Sequence, residues 1–272
     1  MIDLLTITND PDLAARADQL HGMRLFVDLE RQGKAERQAG LNTFISTHCM
    51  DDVGRIKRVL RQSKLMVRVN PCQLDNVAAS KAEVDEALAQ GADLIMLPMF
   101  TNARQLQTFA DMVDGRAPIV SLLETADALE TLDAWLDTPG LHEVYVGLND
   151  LHLSLGCRFM FDPLRLGHVE RVAVAARARG IRFGFGGIAR ASEGLLPGRD
   201  VLAEHLRLGS QAVILSRTFN RTDSDTSFED AVAELRKAER ALMQRQPSEL
   251  GQDHLRIARL IERISGSMPP RA

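Results

Sequence analysis

Short apolar runs alternate with longer segments of helical periodicity along most of the chain. Runs rich in Val, Ile and Leu predict strands, whereas apolar positions three and four residues apart predict amphipathic helices. Strands are predicted at DLLTIT, RLFVDLE, LMVRVN, DLIMLPMF, PIVSLLE, EVYVGLN, IRFGFGG and AVILSRTF. The helices between them include 11–21, 81–90, 102–114, 164–179 and 228–243.

The alternation also predicts how the elements connect. Several of these helices close on a glycine that a strand follows at once, for example Gly91 and Gly180, which indicates tight αβ loops. Strands that are apolar on both faces favour a covered parallel sheet. About eight such repeats predict an α/β fold, a (β/α)8 TIM barrel with an additional C-terminal helix. A doubly wound open sheet is compatible with the same pattern and stays open at this point.

Two parts are predicted, a barrel domain over 1–246 and a C-terminal helical extension and tail over 247–272. The apolar stripe of helix 248–264 consists of Leu250, Ile257, Ile261 and Ile264. Because a barrel already has eight helices, this stripe needs a further surface to cover it. We expect packing on a neighbouring subunit in a homo-oligomer, and packing on the helix's own barrel is the alternative.

Composition narrows the class of protein. The chain has 272 residues, of which 45% are hydrophobic and 4% aromatic, and its net charge is −4 with both signs interspersed. Neither a basic stripe nor aromatic stacking platforms stand out, so no nucleic acid partner is expected. The apolar stretches are too short to span a bilayer, and the three cysteines are widely spaced without a CxxC motif. We expect no membrane partner and a cytoplasmic location.

Polar residues at the carboxyl ends of barrel strands define the expected active site. Glu124 and Asp150 follow adjacent predicted strands, whose backbones lie about 4.8 Å apart, so both carboxylates can reach one point. Two carboxylates repel each other unless a cation lies between them, and Mg²⁺ or Mn²⁺ suits oxygen ligands. In the alternative interpretation each carboxylate caps the helix that follows it.

Three further features are candidates for the site. Arg68 lies inside an apolar strand and needs an anion, either a substrate carboxylate or Glu30 on the adjacent strand. His48 belongs to a long connection from Arg31 to Met50 and is placed to reach the mouth, although a surface position is the commoner one. The segment GFGGIAR, 184–190, predicts a glycine-rich turn after strand seven, for phosphate or, more simply, for tight-turn geometry.

The motifs FVDLE, VRVN, GADLIMLPM, LLETADALETLD and GLNDLHLSLG, in this order, resemble the HpcH/HpaI aldolase and citrate lyase β-subunit family. The resemblance implies a pyruvate-type barrel in which Glu124 and Asp150 hold Mg²⁺ or Mn²⁺. It implies that Arg68 grips the carboxylate of an α-keto acid or acyl compound. It also implies trimers or hexamers that exchange the C-terminal helix. Beside Asp150, we expect Gly147 and Asn149 to contact the substrate.

One departure from the family concerns the base. Arg31 stands where aldolase relatives carry a catalytic histidine and where the citrate lyase branch carries a second acid. The identity of the base stays open, and His48 is a candidate. We expect Asp28 and Glu30 to orient water, metal or Arg68.

The expected function is a divalent-metal-dependent carbon–carbon lyase or aldolase that acts on a small keto acid or acyl carboxylate through an enolate. One alternative is a metal-dependent acyl-CoA thioesterase, or a CoA-ester lyase like the citrate lyase β-subunit, which would make a CoA ester the substrate. A third hypothesis, from another class, is a catalytically idle barrel that serves as a binding or assembly subunit. It predicts that no divalent ion binds.

Overall fold

Eight parallel strands close into a barrel in chain order, and β8 pairs with β1. The structure is a computed structural model that describes residues 1–33, 47–221 and 226–269. The strands are β1 Asp3–Ile7, β2 Met23–Asp28, β3 Lys64–Arg68, β4 Leu94–Leu97, β5 Ile119–Leu123, β6 Leu141–Val146, β7 Arg182–Ile188 and β8 Ala212–Leu215. All the predicted strands and the (β/α)8 barrel are confirmed, and closure excludes the open sheet.

Helices lie between and after the strands. In the described part of the chain they are α1 Pro11–Asp18, α2 Met50–Val59, α3 Val77–Ala89, α4 Ala103–Val113, α5 Ala126–Glu130, α6 Leu132–Trp135, α7 Leu148–Ser154, α8 Asp162–Arg165, α9 His168–Ala178, α10 Gly198–Leu208, α11 Phe228–Met243 and α12 Pro247–Ser267. The single helix predicted over 164–179 is wrong. Gly167 adopts a left-handed φ of 82° and separates α8 from α9.

The core has an inner and an outer layer. The inner cluster fills the barrel and consists of Leu5, Phe26, Met66, Leu94, Met96, Val120, Leu122, Tyr145 and Ala212. The larger outer cluster lies between the strands and the helices. Because side chains alternate along a strand, the strands other than β7 contribute to both layers, which accounts for apolar runs without polar alternation.

A bulge in β7 explains the glycine-rich segment 184–190. The pairing of β7 with β8 shifts register between Gly184 and Gly187, and a Cβ on Gly184 would lie 2.7 Å from the carbonyl oxygen of Ala212. The buried Tyr145 hydroxyl donates to the Gly186 carbonyl at 2.5 Å and accepts from the Ile214 N–H at 2.8 Å. The predicted turn after strand seven is therefore wrong, since these glycines lie within the strand.

The C-terminal helix α12 packs on α8 and α10 of the same chain. Ile257 and Ile261 are buried, and Ser265 donates to Asp162 at 2.8 Å. Two of the four stripe residues are thus buried within one chain, whereas Leu250 and Ile264 are half-buried, and packing on a neighbouring subunit stays a prediction. Residues 270–272 of the predicted tail lie outside the described residues, as do 34–46 of the connection from Arg31 to Met50.

Within the described ranges, no helix combines the length and apolar character needed to cross a bilayer.

Candidate active site

The apolar interior of the barrel ends at the carboxyl ends of the strands. There the predicted site residues continue the two-residue period of the inward-facing positions. The last inner residues of β2, β3, β5 and β6 are Phe26, Met66, Leu122 and Tyr145. Two positions farther along the same strands come Asp28, Arg68, Glu124 and Gly147. Since residues i and i+2 share a face, these four positions are directed to the barrel axis just above the apolar core.

Arg68 is held mainly by Asp28, which is its register partner on β2. Its Nε donates to Oδ1 of Asp28 at 2.8 Å, and its Nη2 donates to Oδ2 at 2.7 Å. The guanidinium carbon lies 5.7 Å from the centre of the Phe26 ring. A bidentate pair of this kind fixes the plane of the guanidinium. The principal structural partner of Arg68 is therefore Asp28, and Glu30, the partner predicted on the adjacent strand, lies farther away at 3.4 Å.

The other end of the guanidinium faces two more carboxylates. Nη1 of Arg68 lies 3.4 Å from Glu30 and 3.9 Å from Glu124. Burial would by itself lower the pKa of Arg68, but the charges of Asp28, Glu30 and Glu124 outweigh burial and raise that pKa above its usual value. The side chain is 13% exposed. Asp28 occupies two of its five N–H donors, so the edge formed by Nη1 and Nη2 keeps donors for a second anion.

Glu124 and Gly147 pack closely across the β5–β6 pair. The N–H of Gly147 donates to the Leu123 carbonyl at 2.9 Å, which places Gly147 beside Glu124. A Cβ on Gly147 would lie 2.5 Å from Cγ and 2.7 Å from Oε1 of Glu124. Non-bonded carbon atoms do not approach so closely without displacement. The Glu124 carboxylate therefore occupies the space that a side chain at position 147 would need.

Neither predicted metal ligand serves as a helix cap. Thr125, not Glu124, is the N-cap of α5, and its Oγ1 accepts from the Ala128 N–H at 3.2 Å. The N-cap of α7 is Gly147, and Asp150 lies inside the first turn of that helix. The interpretation of both carboxylates as helix caps is therefore wrong.

The residues after β6 differ in exposure. Asp150 is 7% exposed, whereas Asn149, its neighbour in α7, is exposed to solvent. His152 is buried, and its Nδ1 lies 2.9 Å from the Leu148 carbonyl oxygen. Asp150 is therefore buried and Asn149 lies at the protein surface. The substrate contacts predicted for Gly147 and Asn149 stay predictions.

His48 is buried at the mouth, next to Asp28. Its Nδ1 accepts the backbone N–H of Asp28 at 3.1 Å. An imidazole nitrogen that accepts an N–H carries no proton, so the proton of the neutral ring is on Nε2. Nδ1 of His48 is therefore engaged in this arrangement, and the role of His48 as the base stays a prediction.

The donor chemistry at the mouth fits a hard divalent cation. Glu124 and Asp150 are both buried and offer carboxylate oxygens, the ligands that Mg²⁺ and Mn²⁺ prefer. Among the residues that the structure describes, no group of three or more His, Cys, Asp or Glu side chains is arranged to hold a metal. Two carboxylates suit Mg²⁺, which in proteins is commonly held by one or two carboxylates together with water and substrate oxygens.

Two residues with no role assigned from the sequence also belong to the site. Asn70 accepts the backbone N–H of Arg31 at 2.9 Å, and Arg31 donates through Nη2 to the His48 carbonyl at 2.7 Å. The sequence predicted that Asp28 and Glu30 orient water, metal or Arg68, but it did not predict which of the two lies opposite Arg68. Aligning FVDLE with MVRVN places the aspartate opposite the arginine, so strand alignment was the signal for that pair.

Comparisons with known proteins agree with this fold. The family model for HpcH/HpaI aldolase/citrate lyase matches residues 51–193, more than half of the chain. The matched range contains Arg68, Glu124 and Asp150, while Asp28 and His48 precede it. Among curated proteins, no sequence matches this chain.

Solved structures resemble the whole barrel. The HpcH/HpaI aldolase from Desulfitobacterium hafniense DCB-2 has a TM-score of 0.59 at 16% identity over 90% of this chain and 94% of its own. An HpcH/HpaI aldolase/citrate lyase family protein from Burkholderia cenocepacia J2315 reaches 0.61 at 16% identity over 89% and 93%. The citrate synthase SbnG reaches 0.59 at 15% identity over 88% and 94%. At these identities the likeness shows the shared fold.

Proposed function

The chain belongs to the HpcH/HpaI aldolase/citrate lyase family, and from this premise we propose that it is a divalent-metal-dependent carbon–carbon lyase or condensing enzyme. Its substrate would be a small α-keto acid or acyl carboxylate. The similar structures described above include aldolases and a citrate synthase, which are enzymes of this reaction type. They support the reaction class and leave its direction to experiment.

One observation carries the proposal. Arg68, fixed in plane by Asp28, turns its remaining N–H donors toward the place where Glu30 and Glu124 converge. A carboxylate bound end-on to Nη1 and Nη2 would lie beside Glu124, so a substrate held by its carboxylate has its adjacent carbonyl near the predicted metal ligands.

The chemistry needs positive charge where an enolate develops. When the bond next to the substrate carbonyl breaks, its electron pair moves into the carbonyl group and negative charge accumulates on that oxygen. Glu124 and Asp150 would hold a divalent cation, which would supply the charge that stabilises this oxygen. Arg68 binds the substrate carboxylate, and Asp28 and Glu30 hold Arg68 in place. Burial of these groups strengthens each interaction because the local dielectric constant is low.

Calorimetric titration with Mn²⁺ tests the metal ligands. Glu124→Gln and Asp150→Asn should each remove detectable Mn²⁺ binding, because each deletes one charged oxygen ligand. Glu130→Gln is the matched control, since Glu130 is exposed on α5 in the same segment of the chain. Unchanged affinity in both site variants would overturn the ligand assignment. A wild-type protein that binds no divalent ion would favour the idle-barrel hypothesis.

Binding of pyruvate and oxaloacetate tests Arg68. Arg68→Lys keeps the positive charge but cannot engage Asp28 and a substrate carboxylate with the same planar set of donors. We expect affinity to fall by about tenfold to a hundredfold, which corresponds to loss of a charged hydrogen bond. Arg104→Lys, at an exposed position of α4, should leave affinity unchanged. Equal affinity of the Arg68 variant and the parent would remove Arg68 from the site.

The proposal also includes a cytoplasmic location and a trimer or hexamer, which rest on composition and on the resemblance stated above. Sedimentation equilibrium of the full chain tests the oligomeric state, and a monomer at micromolar concentration would contradict it.

A further inference from the structure

Arg31 joins two parts of the chain that lie far apart in sequence. Its guanidinium donates through Nη2 to the carbonyl of His48, at 2.7 Å and 17 positions away. Its own backbone N–H donates to Oδ1 of Asn70 at 2.9 Å, just beyond the end of β3. Arg31 therefore connects the chain after β2, the chain after β3 and the segment that leads into α2.

The backbone of Arg31 is itself firmly held. Oδ1 of Asn70 also accepts the N–H of Gln32 at 3.0 Å, and Nδ2 of Asn70 donates to Glu83 on α3 at 2.7 Å. The side chains of Gln73 and Gln32 are joined by a further hydrogen bond of 2.5 Å. Since Asn70 uses both ends of its amide, the amide orientation is determined and the chain at Arg31 has a defined position.

His48 is fixed from the other side as well. The N–H of the next residue, Cys49, donates to Oδ2 of Asp52 at 2.8 Å, and Asn9 at the end of β1 donates to the same oxygen at 3.3 Å. Asp52 is buried at 1% exposure. The carbonyl of His48 is thus held by Arg31, its ring by the Asp28 N–H, and the following peptide by Asp52. Such convergence fixes the direction of the imidazole.

We infer that Arg31 is a positioning residue of the active site, which acts through His48 and Asp28 to hold Arg68. Arg31 binds His48, the His48 ring accepts from Asp28, and the Asp28 carboxylate holds Arg68 in plane. The inference rests on the proposed function in one respect, namely that Arg68 binds the substrate carboxylate. A cation at position 31 suits this task because a guanidinium donates to a carbonyl and cannot act as a base near neutral pH.

His48 takes a positioning role in the same arrangement. If it served as a base through Nδ1, it would first have to release the Asp28 N–H, which would disturb the residue that holds Arg68. Asparagine offers an amide oxygen close to the place of Nδ1 and cannot transfer protons near neutral pH, so His48→Asn separates the two roles.

Ring-nitrogen NMR of ¹⁵N-histidine-labelled protein tests the link without substrate. In the wild type, the His48 signals should show one tautomer, with the proton on Nε2. Arg31→Ala should give exchange-averaged His48 signals and a shifted Asp28 amide signal. Arg31→Lys should restore part of the wild-type spectrum. Arg104→Ala, at an exposed position, is the matched control and should leave the spectrum unchanged. An unchanged His48 spectrum in Arg31→Ala would overturn the inference.

Steady-state kinetics provide the second readout. Arg31→Ala should raise KM for the keto acid by about tenfold, the order seen when a supporting residue behind a ligand is removed, while kcat changes less. His48→Asn, which keeps an acceptor near the place of Nδ1, should raise KM less than Arg31→Ala does, whereas His48→Phe, which has no acceptor, should behave like Arg31→Ala. Loss of kcat by about a hundredfold in His48→Asn, with KM unchanged, would show proton transfer by His48 and overturn the positioning role.

The two proposals fail separately. If the wild type binds neither pyruvate nor oxaloacetate, the proposed function fails, while the His48 spectrum still decides whether Arg31 holds the ring. If Arg31→Ala does not fold, the test uses Arg31→Lys together with the two variants His48→Asn and His48→Phe. In that case equal KM values for the two His48 variants would overturn the inference.

Discussion

The carboxylate of Asp28 and the guanidinium of Arg68 face each other across β2 and β3, with both carboxylate oxygens accepting, at 2.8 and 2.7 Å. The pair lies at the boundary between an apolar barrel interior and a mouth lined with further acids. It compensates the burial of a cation, because a buried guanidinium without an anion would be costly. It also leaves one edge of Arg68 for an anion from solution.

Replacement of Asp28 by asparagine should weaken both the fold and the site. Asparagine has one acceptor oxygen, so one of the two charged hydrogen bonds to Arg68 is lost along with the negative charge. We expect the free energy of unfolding to fall by about 2 kcal/mol in urea titrations, and keto acid affinity to fall as Arg68 loses its fixed plane. Asp75→Asn, at an exposed position, is the control. A variant as stable as the parent, with the same affinity, would contradict this role.

The pattern of the sequence was sufficient for the barrel and for the position of the mouth. The strands were readable because they are apolar on both faces, and Arg68 and Glu124 stood out because they follow those runs. Which acid holds Arg68 was not readable from composition. Asp28 and Glu30 are both near, and the choice depends on the register that puts Asp28 opposite Arg68 while Glu30 lies beyond the strand.

Local backbone geometry accounts for the other differences. Helical periodicity continues across 164–179, so the pattern predicts one helix, yet a left-handed Gly167 ends α8 and starts a new axis. In β7, the shift of register lies where Tyr145 of the neighbouring strand contacts Gly186, and a local pattern reveals neither feature. The first difference comes from a single dihedral angle and the second from a tertiary contact. Each outweighs the secondary-structure propensity of the local sequence.

Replacement of Gly147 by alanine should displace Glu124. The new Cβ would lie 2.5 Å from Cγ of Glu124, so the carboxylate must move away from its present position. We expect Mn²⁺ affinity measured by calorimetry to fall strongly, with a loss of about 1–3 kcal/mol in the free energy of unfolding.

Gly251→Ala is the control for this substitution. Gly251 lies in α12, where an added Cβ meets no atom within 4 Å. It should gain about 0.5–1 kcal/mol in the free energy of unfolding, because alanine favours the helix, and leave Mn²⁺ binding unchanged. Normal Mn²⁺ affinity in Gly147→Ala would show that the position of Glu124 is not critical.

Asp18 makes the stability depend on pH. Its buried carboxylate accepts the backbone N–H groups of Arg61 at 2.7 Å, Gln62 at 3.1 Å and Ser63 at 2.7 Å. Burial alone would raise the pKa of Asp18, but these hydrogen bonds from Ser63, Arg61 and Gln62 together lower it below its usual value. The unfolded chain therefore binds a proton at higher pH than the folded one does, so the stabilisation is complete above about pH 4 and is lost as pH falls through the lowered pKa.

Asp18→Asn should accordingly cost about 2 kcal/mol near neutral pH, since its amide group would face backbone donors. The difference from the parent should shrink as urea titrations are repeated at pH values below about 4, because the carboxylate of the unfolded parent becomes protonated there before that of the folded parent does. A difference that stays constant with pH would show that the charge of Asp18 contributes nothing.

The C-terminal helix offers a test of whether its apolar face is covered within one chain. Ile261 is 1% exposed against the barrel, whereas Leu255 on the same helix is 57% exposed. Ile261→Ala should cost about 2–5 kcal/mol in the free energy of unfolding, and Leu255→Ala should stay within about 0.5 kcal/mol of the parent. If the helix packs on its own barrel, the cost of Ile261→Ala will not depend on protein concentration, because no association is coupled to folding. A cost that grows on dilution, measured by thermal unfolding over a hundredfold range of concentration, would instead place the helix on a neighbouring subunit, as the resemblance implies.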